Sequence, residues 1–362
     1  MEPSRTRSIG SNSVLASLAI LLASINSNRE NVFCAAATTG HLIFEENFDA
    51  FEPSRWSREI KIPLDPDFEF CTFHKHWETV DFRNGIFRIK PSLFEDDYGE
   101  DAVFIGQMRL ADCSSTIQQE CQQHAASYHI LPPIVSAKIV TKNHFEFRYG
   151  VIEVRAKFPE GDWLYPEIWL EPLYKSYDKQ YANARINLGL ARGNAVLTRT
   201  GNITEDYGAR LLEFGVGYGN GANFQESLVK KISPKNQPWN KAWHVYKTIW
   251  TSRGFVFYVD EEEVGRLTPT TSGWSSNVDA VPDKMMPFDE KFYVTIGLGV
   301  GGIRAFPDNT QTDSYLKPWK NVNAKAMLYF WEAKNKWLPS WQRYGGSKAA
   351  LEVDYVRIWS LD

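Results

Sequence analysis

The sequence predicts an all-β fold, a single large sandwich of two antiparallel sheets, from three observations. Short segments of alternating apolar and polar residues recur from about residue 41 to the C terminus. Amphipathic helix patterns are scarce, and the best one, residues 324–337, predicts only a short helix within a loop. No repeat, low-complexity linker or change in composition divides the 362 residues into smaller domains.

Individual strands are predicted from alternation with a period of two. Alternation through residues 145–158 breaks at Gly150, which predicts two antiparallel strands that each bury one face. The segment "GFVFYVDEEEVGRL" predicts a hairpin that turns at residues 260–262. Residues 292–302 form an apolar run whose glycines permit close approach of a backbone or a ligand. Residues 351–360 are apolar on both faces and are therefore expected to form a central strand.

Composition and charge limit the classes of function. Hydrophobic residues make up 43% of the chain, which is ordinary for a globular protein with a full core. The 13 Trp and 16 Tyr suit sheet cores and also clefts that stack flat apolar ligand faces. A net charge of −4 without any Lys/Arg-rich run gives no electrostatic footprint for nucleic acid.

The N terminus has the pattern of a secretory signal. Arg5 and Arg7 precede an apolar run at residues 14–25 that is too short to span a bilayer. We therefore assign residues 1–35 to a signal peptide, with an ambiguous cleavage site, and residues 38–362 to the folded domain. No later apolar run reaches transmembrane length, so the mature chain is expected to be secreted, extracellular and without a membrane partner.

The cysteines are interpreted in that oxidising compartment. Cys113 and Cys121 lie eight residues apart in a polar loop, which predicts a local disulfide. Cys71 is then unpaired, unless Cys34 survives processing and reaches it. No Cys/His spacing resembles a zinc site, and no cofactor is implied. The sequon that begins at Asn202 predicts a glycan in a polar loop.

Several segments occur in an order that indicates a family: "LIFEENFD", "PPIVSAKIVT", "GDWLYPEIWLEP", "NARINLGLARGN", "WHVYKTIW", "GFVFYVD", "PFDEKFYVTIGLGVGG" and "VDYVRIW". This order resembles the glycoside hydrolase family 16 domain, and in particular the arthropod β-1,3-glucan recognition proteins, also called Gram-negative bacteria-binding proteins. The resemblance runs from about residue 40 to the C terminus. It implies a concanavalin A-like β-jelly-roll sandwich with a long cleft across its concave sheet.

The resemblance also implies where catalysis would occur. Active members carry a strand motif Glu-x-Asp-x-x-Glu, whose glutamates serve as nucleophile and acid/base. Aligned on the following Arg-Gly-Asn turn at residues 192–194, these three positions here are Arg185, Asn187 and Leu190. A retaining glycosidase needs two carboxylates about 5 to 5.5 Å apart. Arg and Leu cannot act as nucleophile or proton donor, so the family mechanism is expected to be absent.

The motif's spacing makes a prediction about the backbone. Residues two apart on a strand share a face, so the five-residue spacing needs a bulge to bring the last position to the cleft. Here Ile186, Leu188 and Leu190 alternate cleanly, which predicts that the bulge is lost and that Leu190 enters the core. Arg185 and Asn187 are expected side by side on the concave face.

The resemblance implies a set of candidate ligand-binding residues: Trp163, Tyr165, Trp169, Arg185, Asn187 and His244. The aromatic members match a cluster that lines the sugar cleft in the family, where rings can stack on sugars. Trp163 follows a Gly-Asp turn and is expected to be exposed, whereas Trp169 fits the core equally well. His244 is expected to hydrogen-bond Asn187 or to pack. Trp319 is a candidate loop residue at the rim.

Two acids offer a relocated active site, Glu167 and Glu171. Their spacing places them on one strand face but roughly 13 Å apart, which is too far for a retaining mechanism. Solvated or salt-bridged surface acids are the simpler interpretation. A pair between Glu167 and Arg185 on neighbouring strands is the alternative, because one charge could compensate the other.

Three functions stay open from the sequence. The first is a secreted, catalytically inactive glucanase-like protein that binds β-1,3-glucan or a related microbial glycan in innate immune recognition. The second is an active β-glucanase that uses Glu167 or Glu171. The third is an extracellular interaction scaffold, an adaptor for serine proteases, that no longer binds sugar. Recognition proteins of this family usually carry a separate N-terminal glucan-binding domain. Such a domain is not apparent before residue 40, so the resemblance does not by itself imply tight glucan binding.

Overall fold

The computed structural model describes residues 39–76, 79–174, 181–199, 201, 204–271, 273–274 and 284–362. The predicted signal peptide, Cys34 and the sequon at Asn202 lie outside these residues. The described residues contain twenty-two strands and five short helices.

The strands, in chain order, are β1 (Thr39–Glu46), β2 (Ser57–Arg58), β3 (Cys71–Phe73), β4 (Val80–Arg83), β5 (Ile86–Ile89), β6 (Ser92–Leu93), β7 (Gln107–Arg109), β8 (Gln122–His124), β9 (Ile134–Ser136), β10 (Lys138–Val140), β11 (Gly150–Lys157), β12 (Leu164–Pro172), β13 (Arg185–Leu190), β14 (Thr198–Arg199), β15 (Glu205–Asp206), β16 (Leu211–Tyr218), β17 (Gln225–Ile232), β18 (His244–Thr251), β19 (Gly254–Val259), β20 (Glu262–Leu267), β21 (Phe292–Val300) and β22 (Leu351–Leu361). The helices are α1 (Phe94–Tyr98), α2 (Ala102–Ile105), α3 (Gln118–Cys121), α4 (Ala326–Glu332) and α5 (Lys334–Gln342).

Two large antiparallel sheets share one core. The first sheet has the order β20-β19-β18-β11-β22-β5-β4, with β1 also paired to β22. The second has the order β17-β16-β13-β12-β21-β10-β2. Alternate residues of both sheets enter a single hydrophobic cluster, in which Phe214 of β16 contacts Tyr246 of β18 with ring centroids 6.2 Å apart. The predicted all-β sandwich is confirmed.

Most of the predicted elements are present. The hairpin is confirmed as β19 and β20, and Asp260 and Glu261 at its tip have φ of 49° and 65°, as a tight hairpin turn requires. β22 is central, because it pairs with β1, β5 and β11. The predicted helix is present as α4 and α5, and none of the described helices combines the length and apolarity that a membrane span requires.

The strand predicted before Gly150 does not form. β11 begins at Gly150, whereas Phe147 makes only an isolated bridge to Phe292. Tyr149 has a φ of 61°, which turns the chain away from the extended conformation. The alternating aromatic residues before Gly150 therefore bury their rings from a loop and do not form a continuous ladder of backbone hydrogen bonds.

The predicted disulfide is confirmed. Cys113 and Cys121 are bonded, and Cys71 is free and buried. The disulfide loop lies against the segment before β3, where Ser114 N–H donates to Ile60 O at 2.9 Å and Ile60 N–H donates to Ser114 Oγ at 3.0 Å. This docking fixes the loop beside the outer face of the second sheet, the face turned away from the first sheet.

Candidate functional site

Strand β13 contains a bulge, so the prediction of regular pleating was wrong. Asn187 pairs with Gly215 and Leu190 pairs with Glu213, so three steps along β13 match two steps along β16. Gly189 lies at the extra step, and its φ of 145° favours glycine. Asn187 Oδ1 accepts a hydrogen bond of 3.0 Å from Gly189 N–H. The side chain at the former Asp position thus supports the bulge.

The bulge keeps the three former catalytic positions on one face. Ile186 and Leu188 point into the core between the sheets. Arg185 and Asn187 lie side by side on the outer face, so they share one face of β13 as expected. Leu190 follows the bulge, so its register places it on this outer face, although only 9% of it is exposed. The backbone therefore presents the three motif positions on one face, and their side chains are those of Arg, Asn and Leu.

Arg185 is a fixed, nearly buried cation. It is 8% exposed, and its guanidinium forms a two-pronged pair with Asp67, with Nη2 at 3.1 Å from Oδ1, and also contacts Glu226 at 3.3 Å. The guanidinium lies between two rings, 4.5 Å from the centroid of Trp169 and 4.8 Å from that of Phe224. Burial alone would lower the pKa of Arg185, but the carboxylates of Asp67 and Glu226 raise it above its usual range. A permanent positive charge therefore occupies position 185, where the family resemblance implies a nucleophile in active members.

Glu167 pairs with Lys138, so the alternative of a pair with Arg185 was wrong. Glu167 Oε2 lies 2.7 Å from Lys138 Nζ, and both side chains are buried, so Glu167 is not a surface acid. Both residues are in register with Gly297, one on each side. A Cβ at Gly297 would come within 2.8 Å of the carboxylate, so the glycine opens the space that the pair needs. A third buried group, the carboxyl of Glu69, lies 4.0 Å from the same Lys138. Its burial, and next the neighbouring charge of Glu167, raise the pKa of Glu69 well above its usual value.

Glu171 lies on the outer face and is engaged by hydroxyl groups. Its Oε2 accepts hydrogen bonds from Tyr293 Oη at 2.7 Å and from Thr295 Oγ1 at 3.1 Å. Glu171 is only partly buried, which agrees with the simpler interpretation of this acid. The structure therefore gives each of the two candidate acids, Glu167 and Glu171, its own local partners.

The aromatic candidates are more buried than predicted. Trp163, Tyr165 and Trp169 are 0%, 2% and 4% exposed. The expectation that Trp163 is exposed was wrong, because its ring packs edge-on against Phe306 at 5.2 Å and Trp319 at 4.9 Å. Trp319 is also in the core, with its indole N–H donated to a backbone carbonyl, so the prediction of a rim residue was wrong. Of the three candidates on this segment, only Trp169 lines the cavity described below.

His244 belongs to the first sheet and does not bond Asn187. His244 Nδ1 lies 2.6 Å from Asp260 Oδ2, and its ring packs edge-on against Trp239 at 5.1 Å. The Asn187 amide instead bonds the backbone of Gly189 and, at 3.5 Å, the carbonyl of Glu213. The alternative prediction, that His244 packs, is the one that fits the structure.

A cavity of about 500 Å³ opens on the outer face beside Arg185, a volume typical of small-molecule sites. Its floor is formed by residues of four neighbouring strands, β10, β21, β12 and β13: Val140, Tyr293, Trp169, Glu171 and Arg185. Its walls come from residues 57–59, 61, 63–67 and 114–117. The cavity is therefore adjacent to the outer face of β13 at Arg185 and is built partly by the disulfide loop.

Three of the cations that line the cavity, Lys61, Lys138 and Arg185, form ion pairs. Lys61 Nζ lies 3.0 Å from Glu59, and Lys138 lies 3.7 Å from the same carboxylate in addition to its contact with Glu167. Arg185 is paired with Asp67. The cavity thus offers many hydrogen-bonding groups without a large excess of one charge, which suits a neutral, hydroxyl-rich ligand.

Sequence reasoning missed Asp67, Phe224 and Lys138. Lys138 had a signal, since it is a charged residue inside the apolar run "PPIVSAKIV" and would need a buried partner. Asp67 and Phe224 come from loops far from β13 in sequence, and nothing in the local patterns connects them to Arg185.

The chain is similar to known glucan-binding proteins. No protein-family model matches it. It is 36% identical to "Beta-1,3-glucan-binding protein 1" of Galleria mellonella over 336 residues, which covers 89% of this chain and 64% of the relative. It is 34% identical to "Beta-1,3-glucan-binding protein" of Penaeus monodon, covering 89% of this chain and 90% of the relative. It is 34% identical to "Gram-negative bacteria-binding protein 1" of Drosophila melanogaster, of which it covers 65%. The chain thus spans about two thirds of the length of the two insect relatives.

Solved structures with the same fold are glucanases. The chain matches an endo-β-1,3-glucanase of Pyrococcus furiosus with a TM-score of 0.56 and 17% identity, covering 89% of this chain and 95% of the other. It matches the catalytic domain of a laminarinase from Thermotoga petrophila with a TM-score of 0.55 and 16% identity, covering 89% and 98%. At this identity the likeness establishes the jelly-roll fold alone.

Proposed function

The chain belongs to the family of β-1,3-glucan-binding and Gram-negative bacteria-binding proteins, and from this premise we propose that it is a secreted recognition protein of innate immunity. It binds β-1,3-glucan or a related microbial glycan and does not cleave it. The observation that carries the proposal is the polar cavity beside Arg185, in a chain whose relatives are named for glucan binding.

Binding without cleavage fits the chemistry of the outer face. The former catalytic positions hold Arg185, Asn187 and Leu190, and none of them can act as a nucleophile or as a proton donor to a leaving group. Glu167 is buried against Lys138, which leaves its carboxylate unable to reach a sugar. The hydroxyl-rich surface of a glycan would instead meet the hydrogen-bonding groups of the cavity and the edge of Trp169.

The test combines a pull-down on insoluble β-1,3-glucan with a reducing-sugar assay on the same preparation. We expect the protein to be retained by the polysaccharide and to release no reducing sugar from soluble β-1,3-glucan. Failure to bind any microbial glycan would contradict the proposal. Release of sugar that disappears in Glu167→Gln would establish the relocated active site instead.

A second candidate is an extracellular scaffold that has lost sugar binding and that serves serine proteases of an immune cascade. The burial of Trp163 and Tyr165 favours it, because these rings are not available for stacking on a sugar. Such a scaffold would bind no glucan in the same pull-down, while it would still retain a protease zymogen on a column of the immobilised chain.

A further inference from the structure

The cavity floor runs across the strands and ends at Arg185. Four neighbouring strands at a separation of about 4.8 Å give a floor roughly 14 Å wide. Opposite Arg185 on the next strand, β16, lies Gly217, which has no side chain to obstruct a ligand. A groove that crossed the whole sheet would continue over Gly217, yet no described residue of β16 or β17 lines the cavity.

Phe224 blocks that continuation. Its ring covers Gly217 so closely that a Cβ there would meet the ring at 2.8 Å. Arg185 contacts the ring, and Arg304 also stacks on it at 4.5 Å from the centroid. Arg304 is held in turn by its Nε, which donates to Pro66 O at 2.7 Å. Phe224 is therefore held over Gly217 by its contacts with Arg185 and Arg304.

The segment at residues 63–67 completes this end wall. Asp65 accepts hydrogen bonds of 2.7 Å from both Asn183 Nδ2 and Gly221 N–H. Asp67 pairs with Arg185 through its side chain, and its carbonyl accepts 2.8 Å from Ile303 N–H. These contacts join the segment to β13 and to two further loops, so displacement of the wall would break several hydrogen bonds at once, including the buried pair between Asp67 and Arg185.

Resting on the proposed function, we propose that the cavity takes the terminal residues of a linear β-glucan and excludes internal segments of the chain. An internal segment needs two openings, one for each direction of the polymer. Because the described residues close the cavity at the Arg185 side, a chain that enters from the opposite side has to end there. The cavity volume of about 500 Å³ then limits the bound part to a short oligosaccharide.

The chemistry of the end wall agrees with a chain terminus. A terminal sugar presents a free hydroxyl where an internal one has a glycosidic bond. At the end wall, the carboxylate of Asp67 and the side-chain oxygen of Asn183 offer acceptors for that hydroxyl, since the Asn183 Nδ2 already donates to Asp65 and Gly219. An internal residue would leave these polar groups facing an ether oxygen and carbon, which costs hydrogen bonds.

The experiment compares a linear β-1,3-glucan hexasaccharide with a cyclic β-glucan, which has the same sugar units and no ends. Binding of each is measured by calorimetry with the full chain. We expect one linear hexasaccharide per protein, longer linear chains with a similar dissociation constant per molecule, and a cyclic glucan that binds at least about 30-fold more weakly, or about 2 kcal/mol. Equal binding of cyclic and linear glucans, or affinity that rises in proportion to chain length, would overturn the end-binding proposal. If neither sugar binds, the proposed function itself fails, which is a distinct outcome.

A matched pair of variants tests the location. Thr116 is exposed on the disulfide loop and lines the cavity, whereas Gln119 is exposed in the same loop and does not line it. We expect Thr116→Trp to fill the cavity and to weaken linear hexasaccharide binding at least about tenfold. Gln119→Trp should bind as the unchanged protein does. Equal binding by both variants would place the sugar elsewhere and overturn the proposal.

Discussion

The two ends of β13 differ in what has been kept. At the Leu190 end, the bulge at Gly189 and the turn after it form the backbone that the five-residue spacing of the motif was expected to need. At the Arg185 end, an ion pair with Asp67 and the ring of Phe224 fill the space above the strand. The difference shows that residues outside the three motif positions hold the backbone of β13 at both of its ends.

The Leu190 end has its own supports. Glu213, opposite Leu190, lies 2.8 Å from Arg192 and 3.1 Å from Lys230. Burial alone would raise the pKa of Glu213, but these two cations lower it below its usual value. Asn194 accepts 3.1 Å from Trp163 N–H. None of these bonds needs a catalytic carboxylate on β13.

The largest expected effect concerns the buried pair that supports the cavity side of the sheet. Lys138→Ala removes the cation beside Glu167 and leaves that carboxylate buried, so we expect a loss of about 3–5 kcal/mol in the free energy of unfolding. Urea denaturation measures it. Lys142→Ala, which removes a cation that also lines the cavity but is less buried, should cost under about 1 kcal/mol. Equal losses would show that the pair is not special.

The next effect is a pH dependence at the Leu190 end. Asp162 accepts hydrogen bonds from Tyr315 Oη at 2.7 Å and from Asn194 Nδ2 at 3.2 Å, and burial is the main cause that raises its pKa to about 6. The folded state therefore keeps a proton that the unfolded state releases near pH 3.8. The contribution of this proton to stability is fully present below that pH and is lost as pH rises to about 6.

Asp162→Asn tests this linkage, because the amide keeps the shape and cannot ionise. Between pH 4 and pH 6.5 we expect the unchanged protein to lose about 2–3 kcal/mol relative to the variant. The measurement is the difference between the two unfolding free energies at each pH. A difference that stays constant across this window would contradict the assignment.

Gly189→Ala tests the bulge directly. A φ of 145° disfavours any side chain, and a Cβ would also meet the Tyr246 ring at 3.0 Å, so we expect a loss of about 2–3 kcal/mol. Gly345→Ala is the control, since Gly345 has a φ of 65° and nothing within 4 Å of the added Cβ, and should cost about 1 kcal/mol. Similar losses in the two variants would indicate that the bulge adapts.

The smallest expected effect concerns the hydrogen bond by which the Asn187 side chain supports the bulge. Asn187→Ala removes the acceptor for Gly189 N–H and should cost about 1 kcal/mol, whereas Asn187→Asp keeps that acceptor and should cost less. Thermal unfolding of both variants provides the comparison. An aspartate variant as unstable as the alanine variant would remove the supporting role that we assign to this side chain.

The sequence alone was sufficient for the fold and for locating β13, because alternation and segment order depend on local patterns. It failed for the bulge, although Gly189 between Leu188 and Leu190 was an available signal for an extra residue. It failed for Trp163, because the residues that bury it, Phe306 and Trp319, belong to a loop more than a hundred positions away.

The charge partners were the hardest part to predict. Arg185 could have paired with any acid on a neighbouring strand, and Glu167 was the obvious choice. Instead, Glu167 pairs with Lys138 across Gly297, whose missing side chain leaves room for the contact, and Arg185 pairs with Asp67, which lies in a loop. Such pairings depend on which strands are neighbours and on where a side chain is missing, and both are properties of the assembled sheet.

The disulfide between Cys113 and Cys121 closes the loop that forms one wall of the cavity. In a reducing cytosol this bond would not persist, and residues 114–117 would lose the covalent tie that fixes them. We therefore expect the cavity wall to be complete only where the disulfide is formed, so that a reductant should loosen residues 114–117 and weaken ligand binding.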